Sequence, residues 1–141
     1  MRAVIDTNVV VSAAINPAGT PARLVDAWKA RSFDWVTSPP LLAEIEGVLG
    51  SAKVRRFVRW SAEERARFLA ALSEIGHMAV PTRRLDVVAD PADNRVIEAA
   101  VEGQAGYIVT GDSRLLALGE YAGVQIVTPA RFIAIILSTS L

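Results

Sequence analysis

Short apolar runs alternate along the chain with longer segments in which apolar residues recur at helical spacing. This alternation is typical of an α/β fold with a mainly parallel sheet, because a helix usually connects one parallel strand to the next. The β-branched and apolar runs predict about five strands. They lie at residues 3–5, 33–37, 78–80, 107–110 and 125–127.

Polar residues at the ends of the apolar strand runs mark the starts of helices. Ser38-Pro39 and Asp90-Pro91 each place a capping side chain before a proline at the first helical position. Ser61 and Glu64 have the spacing of a capping box, and Thr128-Pro129 begins a last helix. We expect the helix after residue 90 to stop near residue 103, a short helix at residues 113–118, and the last helix to reach residue 137.

Length and composition favour one soluble domain spanning residues 1–141. The chain is 52% hydrophobic, which is enough to bury a core, and it contains no repeat, low-complexity tract or linker. Its 15 basic and 15 acidic residues balance, so a polyanion would have to bind a local patch. We expect a cytoplasmic protein, since the start lacks the layout of a signal peptide and no apolar run could span a membrane.

The scarcity of cysteine and histidine limits the kinds of metal site and catalytic site that the chain can form. There is no cysteine, which excludes a disulfide framework and thiolate metal sites. The only histidine is His77, so neither a histidine-rich zinc site nor a Ser-His-Asp triad is well supported.

Four acidic residues fall at or near the edge of the predicted sheet where strands lead into helices, which is where open α/β sheets bind ligands. Asp6 follows the first strand, and Asp112 follows the fourth. Glu44 lies early in the helix after the second strand, and Asp93 lies in the first turn of the helix that starts at residue 90. Crowded carboxylates resist joint ionisation, so an ionised cluster implies bound cations. An all-oxygen set suits Mg²⁺ or Mn²⁺, which in turn suit phosphoryl chemistry.

Each acid also has a purely structural interpretation. Asp6 could form a turn, Asp93 could interact with the helix dipole, and Asp112 could cap the short helix. Within the second helix, Glu44 and Glu46 each lie about 100° from the centre of the apolar face, so periodicity does not choose between them. A shared site is favoured because the four acids fall on the same side of the sheet.

Five motifs resemble those of the PIN-domain nucleases, in particular the toxins of VapC-like toxin–antitoxin pairs. In chain order they are V-I-D-T-N at residues 4–8, S-P-P-L-L-A-E at 38–44, D-P-A-D-N-R at 90–95, I-V-T-G-D at 108–112 and V-T-P-A-R-F at 127–132. Each motif is short, but the set occurs in this order over nearly the whole chain. The resemblance implies a three-layer α/β/α sandwich around the parallel sheet.

The resemblance also implies which residues are functional. Its catalytic and metal-binding carboxylates correspond to Asp6, Glu44, Asp93 and Asp112. Glu44 is chosen over Glu46 by this correspondence alone. Asn8 and Thr110 would orient the carboxylates or water. The implied activity is hydrolysis of RNA by water activated at Mg²⁺ or Mn²⁺, without a covalent intermediate. The family commonly forms homodimers and binds a small antitoxin protein.

Phosphate binding requires cations besides the metal. A basic group in the middle of the chain comprises Lys53, Arg55, Arg56 and Arg59, with Arg65 and Arg67 close by in sequence. Arg95 and Arg114 follow the Asp93 and Asp112 motifs. We expect Arg56, Arg95 and Arg114 to be candidate RNA contacts, although most surface arginines are only solvated or ion-paired. The tryptophans Trp28, Trp35 and Trp60 are expected to pack in the core or an interface.

Two other functions compete with the ribonuclease. A phosphatase with Asp6 as nucleophile is disfavoured because Asn8, and not a second aspartate, lies two residues later. A non-catalytic RNA-binding or scaffolding module is disfavoured because all four acids of the motif set are present.

Overall fold

Six strands form a single sheet in the computed structural model, which describes residues 1–139. The strands are β1 (Arg2–Ile5), β2 (Asp34–Thr37), β3 (His77–Met78), β4 (Tyr107–Val109), β5 (Glu120–Tyr121) and β6 (Val124–Val127). Their spatial order is β3-β2-β1-β4-β6-β5. All neighbours are parallel except β5 and β6, which pair antiparallel. The prediction of a mainly parallel sheet is confirmed.

Helices connect the parallel strands and cover the sheet. They are α1 (Thr7–Ile15), α2 (Thr20–Lys29), α3 (Pro39–Gly50), α4 (Ala52–Arg55), α5 (Ala62–Ile75), α6 (Pro91–Glu102), α7 (Ser113–Leu118) and α8 (Pro129–Thr139). The predicted caps begin α3, α5 and α6: the Ser38, Ser61 and Asp90 side chains accept backbone N–H groups of the first turn, and Ser61 and Glu64 form the capping box.

Both faces of the sheet are buried, because alternate residues of each strand point to opposite faces. Val36, Val4, Ile108 and Ile126 align in register across β2, β1, β4 and β6, and they pack against α6 and α7. On the other face, residues such as Trp35 pack against α1, α2, α3, α5 and α8. The predicted three-layer sandwich is therefore confirmed.

The tryptophans lie on the α1–α2–α5 side of the sheet, as expected for packing residues. Trp28 and Trp35 are buried with ring centroids 5.0 Å apart, and Trp60 lies 5.0 Å from Phe68. Phe68 also contacts both of the other tryptophans edge-on. These rings fix α2 and α5 against the sheet.

Some element boundaries differ from the prediction. The third strand is His77–Met78 and not residues 78–80, and the last helix continues to Thr139. The sixth strand, β5, was not predicted. Gly103 is the C-cap of α6, as expected. Its φ is −81°, so glycine is required there by close packing and not by a left-handed conformation: a Cβ atom would lie 2.5 Å from the side chain of Val36.

Candidate active site

The carboxyl ends of β1 and β4 bring two of the predicted site segments together. These strands are adjacent and parallel, and the backbone N–H of Asp6 donates to the carbonyl oxygen of Val109 at 2.9 Å. Asp6 therefore lies beside the segment that carries Thr110 and Asp112. The helix α3, which carries Glu44, begins at the same edge after β2.

The Asp6 carboxylate is held in one orientation by two neighbours. Its Oδ2 accepts hydrogen bonds from the Thr110 hydroxyl at 2.7 Å and from Asn8 Nδ2 at 3.1 Å. The Asn8 side chain is itself fixed, since its Oδ1 accepts from the backbone N–H of Gly111 at 3.2 Å. Burial raises the pKa of Asp6, and the hydrogen bond from Thr110 opposes that rise. The carboxylate is thus costly to ionise but well oriented.

Asp112 combines a capping role with a position beside the Asp6 segment. Its Oδ1 accepts from the backbone N–H of Arg114 at 2.9 Å, which caps α7 and holds the pKa of Asp112 below its usual value. Its own N–H donates to the Thr110 hydroxyl oxygen at 3.0 Å. Thr110 is therefore the link between the Asp6 and Asp112 backbone segments.

Asp93 is the acid whose pKa is most strongly raised. It lies in the first turn of α6 and is only 8% exposed. Burial raises its pKa to about 6, and the negative charges of Asp112, Asp90 and Asp6 add to the rise. A carboxyl that is destabilised by three other acids lies within electrostatic reach of all of them.

The rotation of α3 distinguishes its two glutamates. Glu44 is half-buried, and burial followed by the charge of Asp6 raises its pKa, while a hydrogen bond with the Thr7 side chain lowers it. Glu46 is exposed. The glutamate that faces Asp6 is therefore Glu44, a choice that the helical periodicity left open.

A fifth acid, Asp90, belongs to the same cluster. Its Oδ1 caps α6 by accepting from the N–H of Ala92 at 2.9 Å. Its charge raises the pKa of both Glu44 and Asp93. The cap-then-proline pattern in the sequence predicts only a capping role for Asp90. Its position three residues before Asp93, on the same side of the first helical turn, was the available signal.

Two further residues of α6 hold the long segment that leads to Asp90. The buried Asn94 side chain accepts from the N–H groups of Val87 and Val88 at 3.0 Å each and donates to the carbonyl of Val88 at 2.9 Å. Glu98 Oε2 accepts from the N–H of Leu85 at 2.7 Å. The sequence predicts these contacts for neither side chain, because the segment that they hold has no periodic pattern.

The three arginines proposed as RNA contacts have different environments. Arg114 is 71% exposed and lies beside Asp112 and Asp90. Arg56 is exposed next to α4, with its guanidinium 5.4 Å from the centre of the Phe57 ring. Arg95 binds Glu98 through Nε at 2.8 Å and Nη2 at 2.7 Å, and its side chain is only 17% exposed. The Arg95 guanidinium is therefore already engaged within the protein.

The family model described as PIN domain matches residues 2–114, which include all four predicted acids. The chain belongs to the PIN-domain family. The resemblance found in the sequence is thereby confirmed.

Two further similarities agree with the PIN-domain assignment. An uncharacterized protein of Methanocaldococcus jannaschii is 36% identical over 119 residues, which cover 84% of this chain and 75% of the relative. A chain in the crystal structure of VapBC2 from Rickettsia felis, bound to a DNA fragment from their promoter, superposes with a TM-score of 0.58. That alignment covers 91% of this chain and 98% of the other, at 16% identity, and it concerns the fold.

The donor set of this PIN domain fits a hard divalent cation in its chemistry. The neighbouring side chains offer carboxylate oxygens, and the pKa values of Asp6, Glu44 and Asp93 are all raised, so an added positive charge would stabilise their ionised forms. Within residues 1–139, no three acidic or histidine side chains already stand close enough to form a ligand group. Binding an ion through three or more of these carboxylates therefore requires their side chains to move closer together.

Within the same residues, no helix combines the length and the hydrophobicity needed to cross a membrane.

Proposed function

We propose that this PIN domain is a metal-dependent endoribonuclease whose site comprises Asp6, Glu44, Asp93 and Asp112. The observation that supports this proposal is the mutual electrostatic effect of acids from four separate segments at one edge of the sheet. Burying repelling carboxylates destabilises a fold, and such an arrangement is typical of sites built for function. A divalent cation is the ligand that would offset this repulsion.

In the proposed reaction, a water oxygen bonds to the phosphorus of an RNA linkage and the bond to the leaving ribose oxygen breaks. One water proton goes to that leaving oxygen, and no covalent intermediate with the protein forms. Bound Mg²⁺ or Mn²⁺ would lower the pKa of water and stabilise negative charge on the leaving oxygen. Asp6, Glu44, Asp93 and Asp112 would hold the ion, while Asn8 and Thr110 keep Asp6 oriented toward the site.

Arg56 and Arg114 remain the proposed RNA contacts. In the described part of the chain, ion pairs between side chains involve only the cations of Arg95 and Arg114. The basic group around Arg56 therefore has unpaired positive charge, and Phe57 beside it is 56% exposed and available for base stacking. Arg95 is left out of the proposal because Glu98 already binds it.

The biological role that we propose is the toxin of a toxin–antitoxin pair, acting in the cytoplasm as a homodimer with a cognate antitoxin. The motif resemblance and the shared fold with a VapBC2 chain support this role. Expression of the protein alone should arrest growth, and co-expression of the protein encoded by the adjacent gene should relieve the arrest. Harmless expression of an active enzyme would point to a nuclease with a different role.

The experiment that tests the chemistry is a cleavage assay on single-stranded and structured RNA with Mg²⁺, with Mn²⁺ and with excess EDTA. Cleavage should require the metal and should be restored when Mg²⁺ is added back. Full activity in EDTA would overturn the mechanism. RNA binding without cleavage would favour a non-catalytic RNA-binding module, and a trapped phosphoryl group on Asp6 would favour the phosphatase.

A further inference from the structure

The Arg114 side chain lies between two carboxylates that begin two different helices. Its Nη2 is 3.5 Å from Asp112 Oδ2 and 3.6 Å from Asp90 Oδ2. Asp112 caps α7, and Asp90 caps α6. A single guanidinium nitrogen therefore joins the two acidic helix starts of the proposed site.

Arg114 also supplies positive charge to the acids around it. The other ion-paired cation in the described residues, Arg95, is bound to Glu98. Asp93 lies within the field of Arg114 as well. Because the Arg114 side chain is 71% exposed, charge and not packing keeps it in place. Such a side chain can leave when a stronger cation arrives.

We propose that Arg114 is an internal counter-ion that a divalent cation displaces, and that the released guanidinium then binds a phosphate of the RNA backbone. This inference rests on the proposed nuclease function. The Asp90 and Asp112 oxygens that Arg114 contacts are the type of ligand that Mg²⁺ prefers. The guanidinium, with five N–H donors in a fixed plane, is suited to a phosphate once those carboxylates are neutralised.

Arg114 has two proposed roles, as a counter-ion and as a phosphate contact. They predict that Arg114→Ala binds Mg²⁺ more tightly and RNA more weakly. Removing the competing cation should tighten Mg²⁺ binding about two- to fivefold, since an exposed ion pair is weak. Removing the phosphate contact should weaken RNA binding about tenfold, but only when Mg²⁺ is present. In EDTA, Arg114 is held by Asp90 and Asp112, so the variant should bind RNA about as well as the wild type.

The test measures Mg²⁺ affinity by calorimetry and RNA affinity by fluorescence anisotropy, for wild type, Arg114→Ala and Arg114→Lys. The RNA probe is a single-stranded 12-mer with phosphorothioate linkages, which keep the charge and resist hydrolysis. Arg83→Ala is the matched control: Arg83 is exposed and lies near Glu98 and Glu102, toward the other end of α6. Thermal scans confirm that each variant is folded, and the lysine variant keeps the charge without the planar donors.

Tighter Mg²⁺ binding with weaker, Mg²⁺-dependent RNA binding in Arg114→Ala, and neither effect in Arg83→Ala, would support the proposal. Arg114→Lys should bind Mg²⁺ like the wild type and RNA more weakly. Unchanged or weaker Mg²⁺ binding in Arg114→Ala would overturn it, as would an equal loss of RNA binding in EDTA and in Mg²⁺. A wild-type protein that binds Mg²⁺ and cuts RNA keeps the nuclease proposal even if the Arg114 inference fails. A wild type that does neither overturns both.

Discussion

The Thr110 hydroxyl donates a hydrogen bond of 2.7 Å to Oδ2 of Asp6, although 104 positions separate the two residues in the chain. The same hydroxyl oxygen accepts from the backbone N–H of Asp112 at 3.0 Å. One buried side chain thus fixes the relative positions of two acids of the proposed site.

Replacing this hydroxyl should therefore impair both stability and catalysis. Thr110→Val keeps the shape but removes the hydrogen bond to the Asp6 carboxylate and the acceptor of the Asp112 N–H, so the free energy of unfolding should fall by about 1 to 3 kcal/mol. We expect kcat/KM for RNA cleavage to fall about 10- to 100-fold. Thr110→Ser keeps the hydroxyl and should behave much more like the wild type. Equal losses in both variants would show that the methyl packing, and not the hydrogen bond, matters.

The two glutamates of α3 provide a test with an internal control. Glu44 faces Asp6, whereas Glu46 is exposed. Glu44→Gln should lower cleavage about 100-fold or more, on the scale of removing one group that stabilises the transition state. Glu46→Gln makes the same chemical change on the solvent side and should leave kcat/KM near the wild-type value. The reverse result would mean that the site does not include this face of α3.

The raised pKa of Asp93 predicts how the stability of the metal-free protein depends on pH. Its pKa is about 6 in the fold against 3.8 as the reference value, so between these values the folded state binds more protons than the unfolded chain. Stability from this group therefore falls as pH rises through that window, and it is regained as pH is lowered. In EDTA, the gain in Tm from pH 7 to pH 5 should be smaller for Asp93→Asn than for the wild type. Identical gains would remove Asp93 from the repelling cluster.

Asn94 should be required for the order of the segment that leads to Asp90. Asn94→Ala leaves the N–H groups of Val87 and Val88 without their acceptor, and an unsatisfied buried group costs about 1 to 3 kcal/mol. Amide hydrogen exchange at residues 85–88 should accelerate. Asn94→Asp keeps the acceptor and should protect these amides better than alanine does. Unchanged exchange in the alanine variant would contradict this role.

The parts of the fold that could be predicted are those determined by residues close together in the sequence. The strands and the caps at Ser38, Ser61 and Asp90 depend on local patterns, and they occur close to where the sequence places them. β5 was missed because it has two residues and its hairpin turn places Ala122 and Gly123 at positive φ. A turn of this kind is usually signalled by Asn-Gly or Asp-Gly, and alanine gives no such signal.

The part of the site that follows from the strand topology could be predicted from the sequence. The rule that ligands bind at the carboxyl ends of parallel strands selects Asp6 and Asp112 without any knowledge of packing. The choice of Glu44 depends on how α3 is rotated, which buried residues such as Ile45 and Leu49 determine. Arg95 and Glu98 lie three residues apart on α6, a spacing at which helical side chains meet, so their ion pair could be predicted from the sequence. The bond from the N–H of Leu85 to Glu98 could not, because no periodicity describes the irregular segment before α6.

The central place of β1 in the sheet has a consequence during protein synthesis. β1 is the first strand to be made, yet one of its two partners, β4, follows about 100 residues later. At roughly 5 to 20 residues per second, the ribosome needs on the order of 5 to 20 s to cover that distance. Throughout that interval Asp6 lacks Thr110 and the Asp112 segment. The proposed site is therefore incomplete until the ribosome has passed codon 112.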